Sequence, residues 1–298
     1  PQAMTRPTLE GAMTALVTPF KHGAVDHDAL TRLVEAQIAA GIDGLVAVGT
    51  TGESATLDVE EHIAVVARVV AVVAGRVPVI AGTGGNATAE AIDLVHRAAD
   101  VGADALLQVT PYYNRPTQEG LYRHYEAIAE QGGLPVILYN VPGRTVADIA
   151  DDTVLRLAEL PGVVGLKDAT GDVGRGAALL GRLPDDFAVY SGNDDSALAL
   201  MAVGAHGVIS VTANVAPAEM ARMCAAAAAG DMAEANALNR RLMPLHRDLF
   251  VEANPIPVKW AVARLGRCGE AIRLPLTPPS DASRDVIAAA MDAAGVGT

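Results

Sequence analysis

The sequence predicts an α/β fold, a closed (β/α)8 TIM barrel followed by a C-terminal helical appendage, on three observations. Eight short runs rich in Val, Ile, Leu and Ala recur between Thr14 and Ser210. Longer segments of helical periodicity separate them, joined by Gly, Asn, Asp and Pro. From Ala216 onward the strand-like runs stop and Ala- and Leu-rich helical segments continue alone. Continuous apolar strands imply a parallel sheet covered on both faces, and eight strand–helix units in series imply closure. A chain of 298 residues, 51% of them hydrophobic, has the length and apolar content for such a barrel.

Taken in order, the strand candidates centre on 14–17, 44–48, 77–81, 105–108, 136–139, 163–167, 187–191 and 207–210. The helices between them are expected near 28–40, 59–74, 87–101, 118–131, 151–160, 173–183 and 194–203. Three or four further helices follow, broken at Gly230, at 254–257 and at 275–279. Asp231 has the side chain of an N-cap, and Pro255 and Pro257 suit a first helical turn. Two units are expected, a catalytic barrel over 4–215 and a helical unit over 216–298, with Met4 as the native start.

Charge and composition exclude several classes. The formal net charge is -13, so a phosphate backbone is repelled and no nucleic-acid partner is expected. The most apolar run, 63–74, is interrupted by Arg68 and is too short to span a bilayer. Two distant cysteines, Cys224 and Cys268, suit a reducing cytoplasm better than a disulfide scaffold. The seven histidines show no metal spacing, and no nucleophile elbow of the G-x-S-x-G kind occurs. Gly82-Thr83-Gly84-Gly85-Asn86-Ala87 is a loose dinucleotide pattern, but the next strand ends at Gln108 where an acidic residue is needed. That pattern is read as a turn.

In such barrels chemistry gathers at the strand C-terminal ends. Lysine is informative there, because the chain holds three, Lys21, Lys167 and Lys259, against nineteen arginines. Lys167 ends the apolar run Val163-Val164-Gly165-Leu166, where a charged amine is costly to bury. Alternation along a strand puts Val163, Gly165 and Lys167 on one side, with Gly165 leaving room beneath the lysine stem. Burial lowers a lysine pKa from about 10.4 by up to several units, the condition for imine formation with a ketone. A salt bridge to Asp168 is the plainer alternative. Lys21 reads as a surface residue and Lys259 as a structural residue within a helix.

Other candidates flank the same ends. Tyr112 and Tyr113 follow the fourth strand and Tyr139 ends the fifth; a phenol can shuttle protons or simply pack. Gly49-Thr50-Thr51-Gly52-Glu53-Ser54 follows the second strand, and its backbone N–H groups and hydroxyls suit a small anion or a plain capped turn. Arg144, in Asn140-Val141-Pro142-Gly143-Arg144, can clamp a carboxylate in two-point geometry or remain a solvated loop residue.

These segments, in this order, resemble one family. Gly49-Thr50-Thr51-Gly52-Glu53, Tyr112-Tyr113-Asn114-Arg115-Pro116, Tyr139-Asn140-Val141-Pro142-Gly143-Arg144-Thr145 and Gly165-Leu166-Lys167-Asp168-Ala169-Thr170-Gly171-Asp172 are similar to the signatures of the 4-hydroxy-tetrahydrodipicolinate (dihydrodipicolinate) synthases. Ser191-Gly192-Asn193-Asp194, the run from Gly207 to Thr212 and Asn254-Pro255-Ile256-Pro257-Val258-Lys259-Trp260 extend the resemblance from about Gly11 to the C-terminus. The family belongs to the pyruvate-dependent class I aldolase superfamily that includes N-acetylneuraminate lyase.

The resemblance implies a lyase of lysine and diaminopimelate biosynthesis that needs no cofactor. Lys167 would form a Schiff base with pyruvate, and Thr51, with the backbone of its turn, would hold the pyruvate carboxylate. Tyr139, Thr50 and Tyr113 would relay protons, with Tyr113 donated across a homodimer and two dimers commonly forming a homotetramer. Gly192 and Ile209 would line the site, and Arg144 would bind the carboxylate of aspartate 4-semialdehyde. Relatives inhibited by lysine hold it with residues matching Ser54, Ala55, His62, Asn86, Glu90 and Tyr112. At position 59 those relatives have a histidine where this chain has Val59, so inhibition is expected to be weakened. A relative acting on another sugar or keto acid, and a barrel that binds without catalysis, are the competing expectations.

Overall fold

The computed structural model describes residues 9–297; the expected start at Met4 lies outside them. Eight parallel strands close a barrel: β1 (Gly11–Ala15), β2 (Gly44–Ala47), β3 (Val79–Gly82), β4 (Ala105–Val109), β5 (Val136–Asn140), β6 (Val163–Asp168), β7 (Ala188–Ser191) and β8 (Gly207–Ser210). Each strand pairs with the next in sequence, and β1 pairs with β8 from Gly11↔Gly207 to Thr14↔Ser210. The predicted α/β barrel is therefore the observed fold.

Seven helices alternate with the strands: α1 (His27–Ala39), α2 (Val59–Val73), α3 (Thr88–Asp100), α4 (Gln118–Gly132), α5 (Asp151–Ala158), α6 (Val173–Leu180) and α7 (Ala197–Ala202). After β8, α8 (Pro217–Ala228) packs on β1 and on α9 (Met232–Asp248). The chain continues through α10 (Ile256–Arg264) and α11 (Asp281–Ala294), which pack on each other. Local chemistry explains where several of these helices start. Asp26, Thr117, Asp172, Asp231 and Ser280 each accept an N–H from the first turn. Asp58 and Glu61 form a reciprocal capping box at α2.

Alternation along the strands separates two apolar layers. Met13, Val46, Ile80, Leu107, Ile137 and Ile209 fill the barrel interior, together with Tyr190, whose hydroxyl donates to the Leu9 carbonyl at 2.7 Å. Leu45, Ala81, Leu106, Leu138 and Val208 face outward against Val34, Val66, Val95 and other helix residues. One strand breaks the expected alternation. The β5–β6 ladder shifts register, pairing Val136 with Val163 and then Ile137 with Gly165. Val163 consequently lies in the outer layer and Val164 in the inner one, contrary to the even alternation read from the sequence.

Two short elements escape a reading by periodicity, a hairpin of Phe20–Lys21 with Ala24–Val25 and one helical turn at Pro142–Thr145. The helix expected over 194–203 divides into a 3-10 turn, Asp194–Ser196, followed by α7. Among the described residues no helix is long and apolar enough to cross a membrane.

The buried Asp194 carboxylate ties this turn to the end of β8. It accepts the Ser210 hydroxyl at 2.5 Å and the N–H groups of Val211 and Thr212 at 2.9 and 3.0 Å. Removing it strands three buried donors. Asp194→Ala is expected to cost about 3 kcal/mol or more, read as a lower midpoint in chemical denaturation than the parent.

Candidate active site

Lys167 projects from β6 into the barrel mouth. Its neighbours in register are Tyr139 on β5 and Tyr190 on β7. The side chain is 7% exposed, and its Nζ lies 4.1 Å from the centroid of the Tyr139 ring. Among the described residues no carboxylate is within ion-pair distance of it. Asp168 is directed elsewhere, its Oδ1 accepting the Thr170 N–H at 2.8 Å and the Thr170 hydroxyl at 2.7 Å. The salt bridge left open by the sequence is not formed.

Space for the lysine stem comes from a different glycine than expected. At Gly165 a Cβ would stand 2.7 Å from the Ala188 carbonyl oxygen and 3.3 Å from the Tyr190 ring, so that glycine accommodates β7. At Gly192 a Cβ would stand 3.1 Å from Lys167 Cε. Gly192 therefore borders the amine, and Ile209 is buried in the interior layer of the same barrel.

The turn after β2 bends sharply. Gly52 N–H donates to the Gly49 carbonyl at 3.0 Å and Glu53 N–H to the Thr50 carbonyl at 3.1 Å. Val48 and Glu53 both adopt left-handed backbone, with φ of 57° and 58°. That conformation is costly for a β-branched residue. A cavity of about 40 Å³ opens beside the turn, lined by Thr50, Ser54, Gly82, Val109 and Tyr139 among others. Thr50 and Tyr139 thus line one space, and the Tyr139 ring also meets the Lys167 amine.

Thr51 and Arg144 are joined through a residue that had no assigned role. Asn254 Nδ2 donates to the Thr51 hydroxyl at 3.0 Å, while the Arg144 guanidinium donates to the Asn254 carbonyl at 3.0 Å. Arg144 itself is exposed on the Pro142–Thr145 turn. Asn254 is buried, and its only local signal is its place before Pro255 and Pro257.

Tyr113 stands apart from Tyr139 and Thr50 in the single chain. It is 89% exposed, with φ of 74°. Its loop is laced to the loop after β3, Asn114 Nδ2 donating to the Asn86 carbonyl and Asn86 Nδ2 to the Tyr112 carbonyl. Of the residues matched to a lysine site, Ser54 and Ala55 lie on a 3-10 turn and Glu90 in the first turn of α3. His62 is buried on α2, its Nε2 2.7 Å from the Gly82 carbonyl oxygen, and burial draws its pKa below the usual histidine value. Val59 is exposed at the start of α2.

Lys259, read as a structural helix residue, is buried in α10 and ion-paired with the equally buried Glu53. Burial draws its ammonium below the ordinary lysine range, and the Glu53 carboxylate opposes that shift. Among the described residues no group of His, Cys, Asp or Glu is arranged to hold a metal ion. The geometry at Lys167 joins a sheltered, unpaired amine to a phenol and a hydroxyl-bearing turn. Such a set can condense with a carbonyl and move protons around the adduct.

Comparison with known proteins places the chain in a family. A family model described as the dihydrodipicolinate synthetase family matches residues 8–294. The 4-hydroxy-tetrahydrodipicolinate synthase of Nitrosospira multiformis is 59% identical over 294 residues, 98% of each chain. The chloride-inhibited dihydrodipicolinate synthase of Acinetobacter baumannii, solved with pyruvate, is 54% identical with a TM-score of 0.95, covering 97% of this chain and 99% of that one. The enzyme of Cyanidioschyzon merolae with lysine bound is 40% identical, with a TM-score of 0.94 and coverage of 97% and 99%. A monomeric dihydrodipicolinate synthase variant is 41% identical, with a TM-score of 0.95 and coverage of 97% and 98%. A sheltered lysine at the end of the sixth strand and a full-length match together establish that this chain belongs to the dihydrodipicolinate synthetase family.

Proposed function

We propose that the chain catalyses the condensation of pyruvate with L-aspartate 4-semialdehyde, the 4-hydroxy-tetrahydrodipicolinate synthase reaction. The observation that carries the reading is the Lys167 amine, buried above the Tyr139 ring and, among the described residues, free of an ion pair. The amine adds to the pyruvate ketone, and loss of water leaves an imine. Loss of a methyl proton gives an enamine, whose carbon forms the new C–C bond with the aldehyde while the aldehyde oxygen takes up a proton. The substrate amine then attacks the imine carbon, closing a six-membered ring and releasing Lys167. Each addition and elimination moves a proton, a role we assign to Tyr139 and Thr50 beside it.

Thr51 and its turn are assigned to the pyruvate carboxylate, Gly192 and Ile209 to the walls, and Arg144 to the semialdehyde carboxylate. We read residues 4–215 as the catalytic barrel and 216–298 as a helical unit that lends Asn254 to the site. A cytoplasmic location belongs to the same reading, and the free cysteines Cys224 and Cys268 suit a reducing compartment. Tyr113 is assigned to the relay of a partner subunit, in a homodimer that pairs further into a tetramer. Its exposed ring and left-handed backbone are what such a crossing residue needs.

Borohydride reduction with pyruvate tests the central assignment. The parent is expected to gain a reduced adduct on the Lys167 peptide, and Lys167→Ala to lose both adduct and turnover. In a coupled assay Arg144→Ala is expected to raise the KM for the semialdehyde by roughly a hundredfold, the loss of a charge-assisted contact. Its pyruvate KM should stay near that of the parent; a parent-like semialdehyde KM would count against the second substrate. Lysine titration of the rate is expected to show inhibition weaker than in Val59→His, which restores the polar side chain of inhibited relatives. Rates unchanged at excess lysine in both proteins would show the site to be silent.

A further inference from the structure

The turn assigned to the pyruvate carboxylate carries two left-handed residues that are not glycine, Val48 and Glu53. Such strain persists only where surrounding structure over-determines it. Around this turn the surrounding structure comes largely from distant segments. Thr18 donates its hydroxyl to the Gly52 carbonyl at 2.7 Å, and Asn254 donates to Thr51. Glu53, which does not line the cavity, turns its carboxylate to the C-terminal part of the chain. Its Oε2 accepts from Lys259 Nζ on α10, and its Oε1 accepts from the Arg273 backbone N–H at 3.1 Å.

Arg273 continues the network outward. Its guanidinium donates to the Thr56 carbonyl at 2.8 Å and to both Glu61 carboxylate oxygens, so it grips the far end of the same loop and the start of α2. It also donates to the Gly23 carbonyl. The Phe20 ring lies 4.0 Å from Lys259 Nζ and 4.3 Å from the Arg273 guanidinium carbon, closing the cluster with an apolar face. Both side chains of the Glu53–Lys259 pair are 1% exposed.

A buried ion pair is a poor device for stability alone, because desolvating two charges offsets most of their attraction. A direction-specific anchor on a strained turn is a better account of its place. We infer that Glu53 and Lys259 are positioning residues that hold the Thr50-Thr51 turn in its carboxylate-binding shape, so that the C-terminal helices set the affinity for pyruvate. The inference rests on the pyruvate reading of the site. Removing the Glu53 charge loosens the turn, and a carboxylate then meets donors that are no longer preorganised. The semialdehyde, assigned to Arg144, is affected less, because Arg144 meets the turn only indirectly, through Asn254.

The test is the pyruvate concentration that half-saturates borohydride trapping on Lys167, measured without the second substrate for the parent and Glu53→Gln. Far-UV circular dichroism and thermal melting accompany it. Glu53→Gln is expected to raise that concentration roughly tenfold, as for a modest misplacement of binding groups. Its semialdehyde KM should rise less than the pyruvate half-saturation, since Arg144 reaches the turn only through Asn254. A lower melting temperature with unchanged half-saturation would overturn the proposal, since that is what a purely structural pair produces. Should Glu53→Gln not fold, Glu53→Gln combined with Lys259→Met removes both charges and leaves no unpaired ion in the interior. A raised half-saturation in that protein supports the proposal, and a parent-like value overturns it. Absence of any adduct on the parent would instead bring down the pyruvate reading, and this inference with it.

Discussion

The role assigned to Lys167 needs an amine that is out of water yet unpaired, and the barrel mouth supplies those surroundings. Burial alone would invite a compensating carboxylate, and the sequence supplies one at the very next position. Asp168 is kept away because the Thr170 backbone and hydroxyl hold its oxygen on the other side of the strand. Two tyrosines occupy the neighbouring strands in register with the amine, one offering a ring face and the other anchored to Leu9 below. The amine thus lies against a ring face and, among the described residues, has no carboxylate partner.

The second lysine of the interior makes the contrast plain. Lys259 is as sheltered as Lys167, yet it meets Glu53 directly and is committed to an ion pair. Scarcity of lysine in the chain therefore does not by itself identify the chemical one. What separates them is position: one ends a barrel strand, where loops converge on a cavity, and the other lies within α10 behind a loop.

The barrel does not shape its mouth alone. Asn254 reaches the side chain of Thr51 and receives Arg144 through its carbonyl, so groups assigned to the two substrates share one support. The same C-terminal stretch supplies Lys259 and Arg273 to the loop after β2. A strained turn can be retained at a site when its neighbours leave it no alternative. Here most of those neighbours, Asn254, Lys259 and Arg273, come from the chain beyond the eighth strand, with Thr18 of the barrel beside them.

The alternation of apolar strands and amphipathic helices determined the barrel, because each is a short-range pattern that periodicity exposes. The strand ends likewise singled out Lys167, Tyr139 and the Thr50-Thr51 turn as candidates, the residues to which the proposed chemistry is assigned. Periodicity failed where the register itself changes: the shift at Val136 and Ile137 reverses Val163 and Val164, a property of the ladder between two strands. It was equally blind to the partners of the turn, since Thr51 and Asn254 are 203 residues apart and Glu53 and Lys259 are 206 apart. Contacts at that separation leave no trace in local spacing. Only the closed fold decides which buried lysine meets a carboxylate and which, among the described residues, does not.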